Sequence, residues 1–143
     1  MQIFNIGFCG KSAEEFFTLL TKNGVKKLID IRLNRVSQLA GFANAKHLPY
    51  LLKIHGIEYE YMSEFAPTKE ILSGYRSGEM KWSEYEKRFK ILLARRVKKE
   101  DIDIVKFQNA VFLCSEPTDQ ECHRRLVCEH IKSFYPEVEI CPL

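Results

Sequence analysis

The chain has 143 residues, of which 45% are hydrophobic and 29% charged, with a formal net charge of +3. This length and balance predict a single globular domain over residues 1–143, and the mild charge neither requires nor excludes a polyanionic partner. Five cysteines form an odd set without the framework of a small secreted domain, and neither a signal peptide nor a long apolar run is present. We therefore expect a cytoplasmic protein with reduced thiols and no membrane association.

Strand and helix signals alternate along the chain. In the first half we expect a strand over 3–8, a helix from the capping box Ser12-x-x-Glu15 to 23–24, a strand over 27–33, a helix over 44–54 capped by Asn44, and a strand over 57–62. In the second half we expect a short helix over 69–75, a long one with an apolar face from Trp82 to Val97, a strand over 110–113, a helix over 119–134 opened by Thr118-x-x-Glu121, and a strand over 137–140.

Strands separated by helices predict an α/β fold: a three-layer sandwich with a mostly parallel, Rossmann-like sheet of about five strands. The strand order does not follow from these patterns, although a first strand near the centre is usual. Ligands of such sheets bind at the carboxyl ends of the strands. We therefore expect site residues at that edge, and those outside the Cys114 region include Gly10, Ser12, Asp30, Arg32, Arg35 and Tyr61.

The most informative stretch is 110–129, where a buried strand, a loop and a helix start bring together Cys114, Glu116, Cys122, His123 and Arg124. Cys114 is either an activated nucleophile near a helix N-terminus or simply the last core residue of its strand, and the residue pattern favours neither. Cations are unfavourable at a helix N-terminus. His123 and Arg124 therefore either reach Glu116 or Asp30, or hold an anion, and the anion site is slightly favoured.

Asp30 and Arg32 alternate along one strand and so point to the same face. Two charges on a buried strand must be paired or functional, and a structural ion pair is the simpler interpretation for the two alone. Their position near the strand's carboxyl end, however, favours a functional site over a purely structural ion pair.

Cys114, Cys122 and His123 are residue types that bind zinc, but their spacing lacks a second close cysteine pair, so we do not expect structural zinc. A catalytic metal that uses Glu116 or Asp30 stays open, and the sequence leaves the question of a cofactor open. A glycine-rich phosphate loop is absent from the sequence. A separate basic cluster on and after the long helix is more typical of a solvated helix face than of a phosphate-binding patch; its members are Lys87, Arg88, Lys90, Arg95, Arg96, Lys98 and Lys99.

Several motifs resemble the domain of unknown function 488 family, a group of small bacterial and archaeal proteins. They are N-I-G-F-C-G-K-S with E-E-F, I-D-I-R with Gly41-Phe42, G-I-E-Y-E-Y at 56–61, and L-C-S-E-P-T-D-Q-E-C-H-R-R-L, and together they span nearly the whole chain. The resemblance implies that the family's signature positions are Asp30, Arg32, Cys114, Glu116, Cys122, His123 and Arg124. It implies no particular activity.

Three hypotheses follow. The first is a small enzyme for an anionic substrate, such as a nucleotide or nucleic-acid component. In it Arg32, Arg124 and Arg35 bind the anion, His123 or Glu116 acts as general acid or base, and Cys114 is either the nucleophile or a polar part of the wall. The second is a noncatalytic nucleic-acid-binding or regulatory protein that uses the basic helix. The third is a purely structural polar network. The oligomeric state is left open.

Overall fold

The structure is a computed structural model that describes residues 1–36, 40–116 and 120–143. Its strands are β1 Gln2–Gly7, β2 Lys27–Asp30, β3 Glu58–Tyr61, β4 Ala110–Cys114 and β5 Glu139–Pro142. They form one sheet in the order β3-β2-β4-β1-β5, in which each neighbouring pair is parallel. The α-helices within these ranges are α1 Ala13–Lys22, α2 Leu48–Ile54, α3 Lys69–Arg76, α4 Trp82–Arg96 and α5 His123–Phe134. The predicted α/β fold with a parallel sheet of about five strands is confirmed.

The sheet separates two apolar layers, because successive side chains of a strand point to opposite faces. Ile29 and Phe112 pack in the cluster that includes residues of α3, α4 and α5. Their neighbours Leu28 and Leu113 pack in the other cluster, with residues of α1 and α2. Both faces of the sheet are therefore covered, as parallel sheets require.

The chain leaves β1 and β4 on opposite faces of the sheet. These two strands are neighbours, with Gly7 paired to Cys114 at their carboxyl ends. The connection after β1 enters α1 on one face, and the connection after β4 enters α5 on the other. Diverging connections leave a crevice at the strand ends, which is where open α/β sheets bind ligands. The central strand is β4, so the usual central position of the first strand is not found here.

The predicted start of α2 is wrong. Asn44 does not cap this helix, which begins at Leu48 with His47 in the N-cap position. The Asn44 side chain instead accepts a hydrogen bond from the backbone N–H of Lys46 at 2.9 Å. Asparagine commonly forms such local turns, and they compete with helix capping. The second strand is also shorter than predicted and ends at Asp30.

The predicted start of α5 at residue 119 is wrong as well. The helix begins at His123, and Cys122 is its N-cap residue. Thr118 of the proposed capping box lies outside the described residues. The sequence motif assigned Glu121 to the helix cap. In the structure its carboxylate instead accepts a hydrogen bond from the Tyr75 hydroxyl at 3.1 Å.

Among the described residues, no helix is both long enough and apolar enough to span a membrane.

Candidate active site

A cavity of about 460 Å³ opens at the carboxyl edge of the sheet. It receives side chains from both layers, because the strands that end there send their connections to opposite faces. The predicted site residues that line it are Arg32, Cys114, Glu116, Cys122 and His123. A cavity of this size with a few convergent polar groups is typical of a small-molecule site.

Cys114 and His123 form a thiol–imidazole pair at the wall of this cavity. Both are almost buried, with exposed fractions of 6% and 5%. The Cys114 Sγ lies 3.4 Å from His123 Nδ1, and His123 Nε2 lies 2.7 Å from the backbone carbonyl oxygen of Ile31. A carbonyl oxygen only accepts hydrogen bonds, so Nε2 carries a hydrogen and Nδ1 of the neutral ring can accept the Cys114 proton. A base oriented by a third group is the arrangement that activates a nucleophilic cysteine.

The electrostatics of this pair favour a charged thiolate. A hydrogen bond from the Cys122 thiol, followed by the nearby His123 ring, lowers the pKa of Cys114 well below its usual value although burial opposes this. The same hydrogen bond, with burial, raises the pKa of Cys122. Burial is the largest single influence on the pKa of His123 and lowers it, but the Cys114 charge and the hydrogen bonds to Cys114 and to the Ile31 carbonyl together raise this pKa overall. Of the two cysteines, Cys114 therefore ionises more readily and Cys122 keeps its proton more firmly.

Asp30 and Arg32 form a buried bidentate ion pair, as the simpler sequence interpretation predicted. Arg32 Nε lies 2.9 Å from Asp30 Oδ1, and Arg32 Nη2 lies 2.8 Å from Oδ2. The Tyr59 hydroxyl donates to the same Oδ2 at 2.7 Å. Burial raises the pKa of Tyr59 to about 12, so this hydroxyl keeps its proton. The sequence analysis missed Tyr59, because in the Glu-Tyr-Glu-Tyr strand it resembles any half-buried residue.

The third guanidinium nitrogen of Arg32 faces a different environment. Arg32 is 3% exposed, yet its Nη1 is buried and lacks a hydrogen-bond partner among the described residues. Leaving a buried donor of a charged group unpaired is costly. Because Arg32 lines the cavity, an anionic group bound there would provide the missing acceptor.

Arg124 lies behind the cavity rather than in its lining. It is 1% exposed, and it donates from Nε to Asn5 Oδ1 at 3.0 Å and from Nη1 to the Glu116 carbonyl oxygen at 2.7 Å. Gly7 makes room for this carbonyl, because a Cβ at that position would overlap it. Arg124 and Gly7 thus hold the peptide that follows Cys114. The ligand-binding role predicted for Arg124 stays a prediction.

The other predicted ligand-binding residues do not line the cavity. Gly10 is exposed with φ of 78° after β1, and Ser12 caps α1 by accepting from the Glu15 N–H at 3.1 Å. The Arg35 guanidinium lies 3.8 Å from the centroid of the Tyr61 ring. Each of these four residues therefore lies in a turn, a helix cap or a side-chain contact within the chain. Their predicted roles in ligand binding stay predictions.

An aromatic wall of the cavity was not anticipated as part of the site. The rings of Trp82 and Tyr85 stack with centroids 4.9 Å apart, and Tyr75 lies 5.2 Å from Tyr85. All three line the cavity together with Arg76. Trp82 and Tyr85 were interpreted only as the apolar face of α4, and nothing in the helical period distinguishes a core position from a cavity wall.

Cys114, Cys122 and His123 could also hold a metal ion. Their ligand atoms lie within 4.8 Å of one another, and the three side chains line the cavity. Zinc in catalytic sites takes three such ligands and leaves a position for water or substrate. Asp30, which the sequence analysis left open as a metal ligand, is instead engaged by Arg32 and Tyr59.

The basic cluster around α4 largely makes contacts within the chain. Arg88 pairs with Glu84 at 2.8 Å, and Lys90 pairs with Glu86 at 3.0 Å. Arg96 donates to the Ala66 carbonyl at 2.8 Å. These contacts fit the solvated helix face that the sequence favoured, and they lend no support to a nucleic-acid surface.

The comparisons with known proteins agree with the motifs of this site. The family model described as Domain of unknown function DUF488 matches residues 12–131, which contain the second strand, the Cys114 region and most of α5. No curated protein and no solved structure matches the chain. Since the matched segment covers most of the 143 residues, the chain belongs to the DUF488 family.

Proposed function

We propose that the protein is a cysteine-dependent enzyme that acts on an anionic substrate in the strand-end cavity. The observation that carries the proposal is the contact of Cys114 Sγ with His123 Nδ1 at 3.4 Å, in a ring whose Nε2 is held by the Ile31 carbonyl. His123 takes the thiol proton, the Cys114 sulfur attacks an electrophilic atom of the substrate, the bond from that atom to the leaving group breaks, and the imidazolium gives its proton to the leaving group. Water, deprotonated by His123, then attacks the same atom, and the bond to sulfur breaks, which regenerates Cys114.

Arg32 supports the choice of an anionic substrate. Its Nη1 is a buried donor without a partner among the residues described, and the remaining nitrogens are locked by Asp30. A carboxylate or phosphate oxygen satisfies such a nitrogen by a charge-assisted hydrogen bond. The aromatic wall of Tyr75, Trp82 and Tyr85 supports a substrate that also carries a ring. A nucleotide or nucleic-acid component has both features.

Rapid alkylation of Cys114 is the first expected result. Between about pH 6.5 and pH 8, the rate at which iodoacetamide modifies Cys114 should rise much less than the rate for an ordinary thiol with a pKa of about 8.5, because the pKa of Cys114 is lowered. In His123→Ala the rate at pH 7 should fall about tenfold and should rise with pH. Peptide mass spectrometry measures both.

The matched control is His130→Ala. His130 lies on the same helix and its Nε2 also contacts a backbone carbonyl, that of Val97 at 2.8 Å, but it does not line the cavity. The alkylation rate of Cys114 should be unchanged in this variant. If Cys114 reacts only after the protein unfolds, the nucleophile assignment is wrong.

An anionic and a neutral alkylating reagent together test the anion subsite. Iodoacetate carries a carboxylate that Arg32 can bind, and iodoacetamide does not. The rate with iodoacetate divided by the rate with iodoacetamide should therefore be higher at Cys114 than at Cys141, which lies outside the cavity lining. In Arg32→Lys the ratio should fall about tenfold, the effect of losing one charge-assisted hydrogen bond worth about 1.5 kcal/mol.

Lysine at position 32 keeps a positive charge opposite Asp30 but cannot also place a nitrogen toward the cavity. Arg88→Lys is the control, because Arg88 is exposed on α4 and pairs with Glu84. An equal reagent ratio in the wild type and Arg32→Lys would contradict the anion subsite while leaving the nucleophile intact.

A further inference from the structure

Three of the five cysteines, Cys9, Cys114 and Cys122, line one cavity, and two of them are in close contact. The sulfurs of Cys114 and Cys122 are no more than 4.8 Å apart, and both side chains are buried against the cavity. A disulfide has an S–S length of about 2.05 Å, so the two sulfurs must approach each other by at most about 3 Å to form the bond.

We propose that Cys122 is the resolving thiol of Cys114, so that a hydroperoxide converts the two cysteines to a reversible disulfide. This modification requires a reactive Cys114 sulfur but no substrate. It therefore holds whether or not Cys114 attacks an anionic compound as proposed above.

The first step oxidises Cys114. Its sulfur attacks one oxygen of the hydroperoxide and the O–O bond breaks, so that sulfur loses two electrons and becomes a sulfenic acid. The leaving hydroxide or alkoxide takes the proton from His123 Nδ1, which lies 3.4 Å from the sulfur, and departs as water or alcohol. The peroxide is the oxidant, and a cavity of about 460 Å³ is large enough to admit it.

The second step forms the disulfide. The Cys122 sulfur attacks the sulfenic sulfur, the S–O bond breaks, and the released oxygen leaves as water with the Cys122 proton. Arg124 Nη1 lies 3.5 Å from the Cys122 sulfur and stabilises the negative charge that develops there during the attack. Cys122 is the N-cap residue with φ of −143° and ψ of 141°, so its side chain is outside the helical turn.

Cys9 is the competing partner. It lines the same cavity, and its backbone N–H donates to the Ser115 carbonyl at 2.9 Å. Its sulfur does not belong to the group of atoms that lie within 4.8 Å of one another, whereas that of Cys122 does. Among the described cysteines, Cys122 is the one whose sulfur lies within 4.8 Å of both the Cys114 sulfur and a His123 ring nitrogen. We therefore choose Cys122, and the identity of the linked pair tests this choice.

The experiment uses the full chain, reduced, desalted and treated with a small excess of hydrogen peroxide before free thiols are blocked with iodoacetamide. No Lys or Arg lies between Cys114 and Cys122, so trypsin alone leaves both in one peptide. Digestion with trypsin and a glutamate-specific protease separates peptide 107–121 from peptide 122–124 and from Cys128. Non-reducing mass spectrometry should then show these two peptides linked, and dithiothreitol should release them.

Matched variants decide the outcome. In Cys122→Ser the disulfide should be lost, and Cys114 should accumulate as a sulfenic acid trapped by dimedone and then as a sulfinic acid. Cys9→Ser and Cys141→Ser should form the disulfide as the wild type does.

Three results would overturn the proposal: a dominant link between Cys9 and Cys114, equal overoxidation of Cys114 with and without Cys122, or one equivalent of metal that occupies the two thiols in the purified protein. The iodoacetamide rate of Cys114, measured before peroxide is added, tests the proposed nucleophile separately.

Discussion

Replacement of Asp30 by asparagine should lower the free energy of unfolding by about 3–5 kcal/mol. The carboxylate is fully buried and is the bidentate partner of Arg32, so its loss leaves a buried guanidinium without a counter-charge. Urea denaturation followed by the fluorescence of Trp82, the single tryptophan, measures this change. The control is Asp103→Asn at an exposed position, which should change the free energy by less than about 0.5 kcal/mol.

A double variant shows how much of the lost stability comes from the unpaired charge and how much from lost packing. Asp30→Asn with Arg32→Met removes both charges, and it should recover much of the lost stability, because replacing a buried ion pair by uncharged groups is often close to neutral. A cost for Asp30→Asn below about 1 kcal/mol, the range typical of exposed pairs, would mean that solvent reaches this pair.

Alanine at Gly7 should destabilise the protein by about 3 kcal/mol, at the upper end of the usual range for inserting one methyl group into a packed site. The added Cβ would overlap the Glu116 carbonyl oxygen, which is backbone and cannot rotate away. The peptide after Cys114 must therefore shift, and with it the contact from Arg124 at 2.7 Å. Urea denaturation measures the stability, and the iodoacetamide rate of Cys114 reports the displacement.

Gly41→Ala is the matched control for this variant. A Cβ there would meet no atom within 4 Å, so the stability should change by less than about 0.5 kcal/mol and Cys114 should react normally. A Gly7→Ala protein with wild-type stability would show that the close approach of the two backbones is relaxed in solution.

The fold was predictable because its signals are local. Apolar runs such as 110–113 and the capping box at Ser12 depend on neighbours in sequence, and the structure forms both the strand and the cap. The same reasoning placed the start of α5 too early, because this helix begins at His123. There the Glu121 carboxylate contacts Tyr75, which is 46 residues away, and a sequence pattern contains no information on such a partner.

The site was predictable in its location but not in its contacts. The topology of parallel strands places Asp30, Arg32 and Cys114 at one edge, and the sequence indicates which residues end each strand. The partner of Arg124 is a backbone carbonyl, and that of His123 Nε2 is another, so no residue type marks either contact. The unpaired Nη1 of Arg32 likewise appears only when every neighbouring acceptor has been located.

The two faces of the sheet carry different side chains of the proposed active site. Arg32 and its partners belong with the layer of α1 and α2, where Phe8 packs, whereas Cys114 and His123 face α4, where Phe89 contacts the imidazole ring. Substitutions around Arg32 can change which anion the proposed enzyme accepts without replacing a residue next to Cys114 or His123, whereas the aromatic wall that includes Tyr85 lies in the same layer as these two residues. In a scaffold of this kind the preference for an anion can vary separately from the preference for a ring.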